Sequence, residues 1–242
     1  EELPEKEEIT RYVEFSKEEL ATYETMRISA QKIINGEKKM SINALAQITK
    51  LREAACSLKL VNTEWSARSS KMAEFKTLTE SIIAGGNRVL VFSQFTSFLT
   101  EAKKVVSEII PEKECIYLDG SVSMQQRATL VHDFQNGKGK VFLISLKAGG
   151  VGLNLTGANY VIHLDPWWNP AIEQQASGRA YRIGQEQNVT VYHLITKNSI
   201  EEKIIRLHKT KRDLADALLS DIDVTRSMSL DDLKFLVEAE MS

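Results

Sequence analysis

The sequence predicts an α/β fold in which helices cover both faces of a parallel sheet, with a helical extension ahead of it. Three observations predict it. Between residues 66 and 195, short apolar runs alternate with segments of helix length, which is the texture of repeated strand, helix, strand units. The runs are too apolar for a sheet with one wet face, so they suit a parallel sheet buried on both sides. Each candidate ligand-binding stretch begins where a run ends, at Ser93-Gln94, Asp119-Gly120, Ser145 to Gly152 and Asp165 to Asn169. Open α/β sheets take their ligands at those carboxyl ends.

Taken in order, residues 1–8 are charged and carry Pro4, which predicts an exposed lead-in, and Ile9 to Phe15 reads as a short strand or an extended segment. Ser16 with Glu19 three residues on is a capping box opening a helix that runs to about Ile34 and stops at Asn35-Gly36. A second helix, from Ile42 to Leu60, sets Leu45, Ile48, Leu51 and Ala55 at helical spacing. Met72, Phe75, Leu78, Ile82 and Ile83 mark a third, which Gly85-Gly86 ends. Strands then follow at Arg88–Phe92, Glu114–Leu118, Lys140–Ser145, Asn159–Leu164 and Val189–Ile195. Helices at Thr96–Ile110 and Ser123–Phe134 separate the first three. A long helix from Glu201 to Leu219, a loop over Asp221–Ser227 and a short helix capped by Ser229 and Asp232 close the chain.

Bulk composition is ordinary: 242 residues, 43% hydrophobic and 26% charged. Runs such as Val141–Ile144 are far short of a membrane span, and no signal-peptide pattern is present. The two cysteines, Cys56 and Cys115, lie far apart without metal-ligand neighbours and read as buried thiols of a reducing, intracellular compartment. A net charge of -2 gives no general attraction for a polyanion. Any phosphate-binding face is therefore local. The opening Glu-Glu-Leu-Pro, without an initiator methionine, suggests a piece of a longer protein.

The densest chemistry lies in Gln175 to Gln185, Q-A-S-G-R-A-Y-R-I-G-Q, preceded by Trp167-Trp168-Asn169-Pro170. In a helix from Pro170 to Arg182, turning about 100° per residue, Ile172, Ala176, Ala180 and Ile183 share one apolar stripe. Gln175, Arg179 and Arg182 share a second stripe beside it. Two planar, permanently charged forks held this way suit a triphosphate; the bland reading is a solvated surface pair. Ala148-Gly149-Gly150-Val151-Gly152-Leu153-Asn154 follows a strand directly, so its amides either cradle an anion or make a tight turn. His132, His163, His193 and His208 lack metal-ligand spacing, and no metal site is expected.

Four ordered blocks carry a family resemblance: Val89–Phe95 (V-L-V-F-S-Q-F), Tyr117–Arg127 (Y-L-D-G-S-V-S-M-Q-Q-R), Ser145–Asn154 (S-L-K-A-G-G-V-G-L-N) and the Q-x-x-x-R-x-x-R-I-G-Q stretch. Over residues 60–210 they resemble the second RecA-like lobe of the Swi/Snf-type superfamily-2 helicase-like ATPases, which are DNA translocases. The resemblance implies ATP-hydrolysing chemistry in which Arg179, Arg182 and Gln175 serve the reaction and Gly150, Gly152 and Asn154 line the nucleotide cleft. It also implies that Ser93, Gln94, Gly120, Ser121, Arg127, Ser145, Lys147 and Trp168 follow the DNA sugar-phosphate track. Small polar groups at strand ends are equally well caps, and tryptophans are equally well packing residues. Two departures stand out: Leu146-Lys147 where the family often has Thr-Arg, and Gly178 where it often has aspartate.

By the same resemblance residues 1–64, opening on Leu3-Pro4 with Lys6 and Glu7, are the linker and helical protrusion between two lobes; a plain N-terminal helical hairpin fits the same residues. Residues 65–220 are the lobe itself, and 221–242 a loop and short helix. A Gly-rich Lys-Ser/Thr phosphate loop and an acidic magnesium motif do not occur in these 242 residues. ATP with Mg2+ is thus expected on the first lobe of the same protein, double-stranded DNA and a DNA-bound protein target as partners, and no membrane. The alternatives are a non-catalytic DNA-binding or interaction module and a lobe of an RNA helicase.

Overall fold

The computed structural model describes residues 3–146, 148, 153–218 and 229–239, with the side chains of 210–218 left out. Its strands are β1 (Lys6–Val13), β2 (Val89–Ser93), β3 (Cys115–Leu118), β4 (Val141–Ser145), β5 (Tyr160–His163) and β6 (Val189–Thr196). Its helices are α1 (Lys17–Gly36), α2 (Ile42–Cys56), α3 (Ser70–Ala84), α4 (Thr96–Val106), α5 (Met124–Gln135), α6 (Pro170–Ser177), α7 (Ile200–Leu218) and α8 (Leu230–Val237). The strands form one sheet in the order β1-β6-β5-β2-β4-β3. The pairs β2 with β4, β2 with β5, β3 with β4 and β5 with β6 are all parallel.

Every residue of β2 and β4 is buried. Leu90, Phe92, Phe142 and Ile144 join Phe134 of α5 and Ala176 of α6 in one core. Val89, Val91, Val141 and Leu143 point the other way and are equally inaccessible. On that face α4 packs against β2, β3 and β4, so apolar runs without alternation did mark strands covered on both faces.

The residues group into two compact units. One comprises Glu1–Arg11, Met72–Trp167 and Ala171–Leu194; the other comprises Tyr12–Lys71, Trp168–Pro170 and Ile195–Ser242. The second is helical. Tyr23, Ile34, Ile48, Leu51, Ile204 and Leu236 share its core, drawn from α1, α2, α7 and α8. Inside it Lys71 Nζ meets both carboxylate oxygens of Glu201 at 2.5 and 2.6 Å, each side chain only 1% exposed. Glu201 also accepts the Thr196 amide at 2.8 Å, as a buried ion pair needs if its desolvation is to be offset.

The expected helices and strands recur with ends moved by a few residues, and the boxes at Ser16 and Ser229 both close as read. The helix expected to reach Leu60 ends at Cys56, with a 3-10 turn over Leu58–Leu60. The stretch left open between strand and extended segment, Ile9 to Phe15, is strand as far as Val13, and β1 also takes in Lys6–Glu8 of the expected lead-in, because the chain pairs with β6 from the bond of Val189 N–H to Glu5 O onward. The loop at 221–227 lies outside the described residues. Both cysteines are free; Cys56 is buried, Cys115 is half-buried, and burial pushes the Cys115 thiol up to about 11.

Candidate functional site

The carboxyl ends of the strands gather buried polar groups. Ser93 and Ser145 are register partners at the ends of β2 and β4, and both are inaccessible. The Ser93 hydroxyl donates to Asp165 Oδ1, and the Gln94 amide lies 3.4 Å from Asp165 Oδ2. Ser93 Oγ accepts the Phe95 amide at 3.1 Å and Ser145 Oγ that of Ala148 at 3.2 Å. Asp165, 2% exposed, thereby joins the end of β2 to the chain leaving β5. Of the expected DNA-track residues, then, Ser93 and Ser145 spend their hydroxyls on these internal bonds.

Gly120 and Ser121 are exposed beyond β3. Ser121 donates its amide and hydroxyl to Asp119 Oδ1 at 2.9 and 2.6 Å, and these bonds hold the Asp119 carboxyl below its usual range. Arg127 is half-buried; its fork donates to Ala148 O at 3.0 Å and lies 3.4 Å from Val122 O. Lys147, Gly150 and Gly152 lie outside the described residues, and Asn154 is exposed. Trp168 belongs to the helical unit, where the Arg52 guanidinium sits 4.3 Å from its ring centroid. That is cation-π distance.

The helix expected over Pro170–Arg182 is corrected: α6 stops at Ser177. The ladder changes step there: the amides of Arg179 and Ala180 bond three residues back, to Ala176 O at 3.2 Å and Ser177 O at 3.1 Å, in place of the four-residue spacing of an α-helix. The tightened turn is tied down from outside, because Arg179 O accepts the Leu155 amide at 3.0 Å and Ala180 O accepts Gln185 Nε2 at 3.0 Å. From Gly178 the chain turns instead, and Gly184 takes a φ of 97°, which side chains disfavour. The two stripes therefore dissolve. Ile183 is 82% exposed rather than packed, and Arg179 is buried while Arg182 is exposed. Gln175 is exposed on α6. Burial lowers the Arg179 guanidinium from its ordinary range.

Residues the sequence reading passed over complete the site. Gln185 Nε2 reaches the carbonyls of Thr156 at 3.0 Å and Ala158 at 2.9 Å as well as Ala180, so its amide knots the turn carrying Arg182 to the entry of β5. His163 and His193 are register partners on β5 and β6, stacked at 5.0 Å and 10°. Ser177 Oγ lies 2.9 Å from His163 Nε2, and burial keeps that imidazole well below its ordinary pKa. Glu173 of α6 is 8% exposed and held up at about 7, chiefly by burial. A signal existed: V-I-H-L at 161–164 and V-Y-H-L at 191–194 repeat one phrase. It becomes a histidine pair only if the two strands are neighbours. Among the described residues no group of three or more His, Cys, Asp or Glu is placed to hold a metal, and no helix is long and apolar enough to cross a membrane.

The helicase conserved C-terminal domain family matches residues 70–184. The chain is 34% identical over 231 residues to the DNA repair protein RAD5 of Candida glabrata, covering 92% of this chain and 20% of that protein. The solved C-terminal domain of the Sulfolobus solfataricus SWI2/SNF2 ATPase is 28% identical with a TM-score of 0.76, covering 98% of this chain and 100% of that one. The core of the same archaeal ATPase, solved in complex with dsDNA, is 30% identical with a TM-score of 0.76, covering 98% of this chain and 51% of that one. The chain spans between 20% and 26% of the length of the first curated relatives it matches. With four ordered motif blocks on a parallel sheet of this topology, it belongs to the Swi2/Snf2-type superfamily-2 helicase-like ATPases, as their C-terminal, RecA-like lobe.

Proposed function

We propose that this chain is the second ATPase lobe of a double-stranded-DNA translocase, completing a nucleotide site held mainly by a first lobe of the same protein. The observation that carries the reading is the turn after α6. Arg182 stands exposed on it while Gln185, bonded to three carbonyls, holds it from below. An exposed guanidinium on a braced turn is a donor array for phosphate oxygens. ATP with Mg2+ would supply the transferable phosphoryl group. Arg182 would neutralise charge on it, and Arg179, buried behind, would hold the turn and add positive potential.

Gly120 and Ser121, exposed beyond β3, would position the DNA backbone without reading sequence, and Lys147 is assigned to the same track. Association with DNA, and with a protein bound to it, belongs to the same reading, as do residues 1–64 as linker and protrusion. The archaeal neighbour solved with dsDNA favours duplex DNA over RNA.

The test is ATP turnover by the full-length protein with duplex DNA, RNA or neither, for wild type and Arg182→Ala. DNA-specific stimulation, lost about 10³-fold in the variant, is expected. Stimulation by RNA would move the assignment to an RNA helicase. Salt-dependent DNA binding with no turnover would make the chain a binding module.

A further inference from the structure

The carboxylate of Glu173 lies behind the turn rather than in it. Its Oε1 accepts the Trp167 amide at 2.5 Å. Trp167 opens the Trp-Trp-Asn-Pro joint by which the chain passes from β5 into α6, so the bond closes that joint on its own helix. Oε2 lies 3.6 Å from His193 Nδ1. Across the same imidazole, His193 Nε2 lies 3.6 Å from Glu8 Oε2 on β1, and Lys6 Nζ is 2.5 Å from Glu8 Oε1. His163 stacks on His193 from β5. Asp165, at the start of the joint, adds negative charge near Glu173. Sheet and helix thus meet through a row that runs from the surface inward: exposed Glu8 with half-buried Lys6, half-buried His193, buried Glu173 and the Trp167 peptide. Nothing in the proposed chemistry needs a carboxylate here, and an apolar side chain would fill the space at lower desolvation cost.

We propose that Glu173 is a positioning residue for ATP turnover, its carboxylate fixing the Trp167 peptide against His193 and so setting where α6 delivers the turn that bears Arg179 and Arg182. The inference rests on the proposed function for its reaction, and on the bonds above for its geometry. The anchoring form is the ionised one, because a carboxylate holds an amide more strongly than a neutral acid does. Burial keeps this group titrating at about 7, so anchoring strengthens as pH rises through that value. Glu8 faces the same imidazole but is held down at about 2, first by His193 and then by Lys6, and stays charged throughout.

The experiment compares full-length wild type, Glu173→Gln and Glu173→Ala. Glutamine keeps an acceptor for the Trp167 amide and cannot ionise; alanine has neither property. DNA-stimulated kcat and the KM for ATP are measured from pH 6 to 8.5. Wild-type kcat should rise through a limb near pH 7. E173Q should match it at pH 6, fall about 10-fold behind at pH 8 and lack the limb. E173A should be low throughout, with KM in each variant within about 2-fold of wild type. A role in stability alone would lower the melting temperature and leave the limb. An E173Q profile that coincides with wild type overturns the proposal.

Hydrogen exchange of the peptide spanning 164–174 is read by mass spectrometry on the same proteins, corrected for intrinsic rate. Exchange should rise in E173A, and in wild type it should slow between pH 6 and 8. If wild type hydrolyses no ATP at any pH, the proposed function fails, and this second readout still decides the anchor. Unchanged exchange in E173A overturns it.

Discussion

The two ends of the sheet are built to opposite plans. At the amino-terminal end one side chain does most of the closing. Arg88, just ahead of β2, donates to Gly139 O and Gly157 O at 2.9 Å, to Phe134 O at 2.5 Å and to Lys138 O at 3.2 Å. Its guanidinium also lies 3.8 Å from the Phe134 ring centroid. Three loop carbonyls and one from the last turn of α5 are met by a charge that never leaves, and the fit is close: a Cβ on Gly157 would stand 2.8 Å from Arg88 Nη1. At the carboxyl end the polar groups are shared among strands. Asp165 takes the Ser93 hydroxyl, Glu173 takes the Trp167 amide, and His163 and His193 are stacked between helix and sheet. The first arrangement suits permanence. The second sets Glu173, held up at about 7 by burial, among its polar groups, so one charge at this end changes in the neutral range while the guanidinium at the other end stays charged.

The largest expected effect belongs to Arg182→Ala: about 10³-fold in DNA-stimulated turnover of the full-length protein, roughly 4 kcal/mol of barrier. Its unfolding free energy should stay within about 0.5 kcal/mol of wild type. Arg88→Ala should do the reverse. Urea unfolding of this chain should show a loss of about 3 kcal/mol, while turnover per folded full-length molecule is kept. If both variants lose stability and turnover together, the two ends are not functionally distinct.

Next comes pH. Glu173 has a folded pKa raised to about 7 from an ordinary 4.5, so between these values the native state binds a proton that the unfolded chain has lost. Stability is therefore greatest below about 4.5 as far as this group is concerned, and falls as pH rises from there through about 7, by about 3 kcal/mol. Glu8 has the opposite sign: its depressed pKa, about 2, gives stability present above the ordinary carboxylate range and lost as pH falls through 2. Denaturant midpoints of wild type and Glu173→Gln should diverge more at pH 8 than at pH 5.5, with the variant the more stable. The smallest effect is expected from Ser93→Ala, about 1.5 kcal/mol by urea unfolding, because it deprives the buried Asp165 carboxylate of one donor among several.

Which parts were readable follows from the range of the forces. The boxes at Ser16 and Ser229 are local chemistry, three residues wide, and both close as read. Apolar runs such as Val89–Phe92 and Val141–Ile144 mark buried strands because burial on both faces leaves no room for alternation. The long stripe of Gln175, Arg179 and Arg182 did not survive. A helical repeat continues on paper past Ser177, but the next amides bond three residues back and contacts from Leu155 and Gln185 hold the resulting turn. Likewise His163 and His193 carried no ligand spacing and no assigned role, since 30 residues of sequence conceal that β5 and β6 are neighbours.

By itself the sequence determined the class of fold, the order of strands and helices along the chain, and the motif blocks that mark the family; these depend on contacts within a turn or on the apolar content of a run. Tertiary structure alone decided the strand order β1-β6-β5-β2-β4-β3. It also decided where α6 ends, that Arg179 is buried and Arg182 exposed, and that Glu173 faces His193. Each of those depends on which distant backbone group reaches a donor or acceptor first, and a hydrogen bond has no period that a sequence can display.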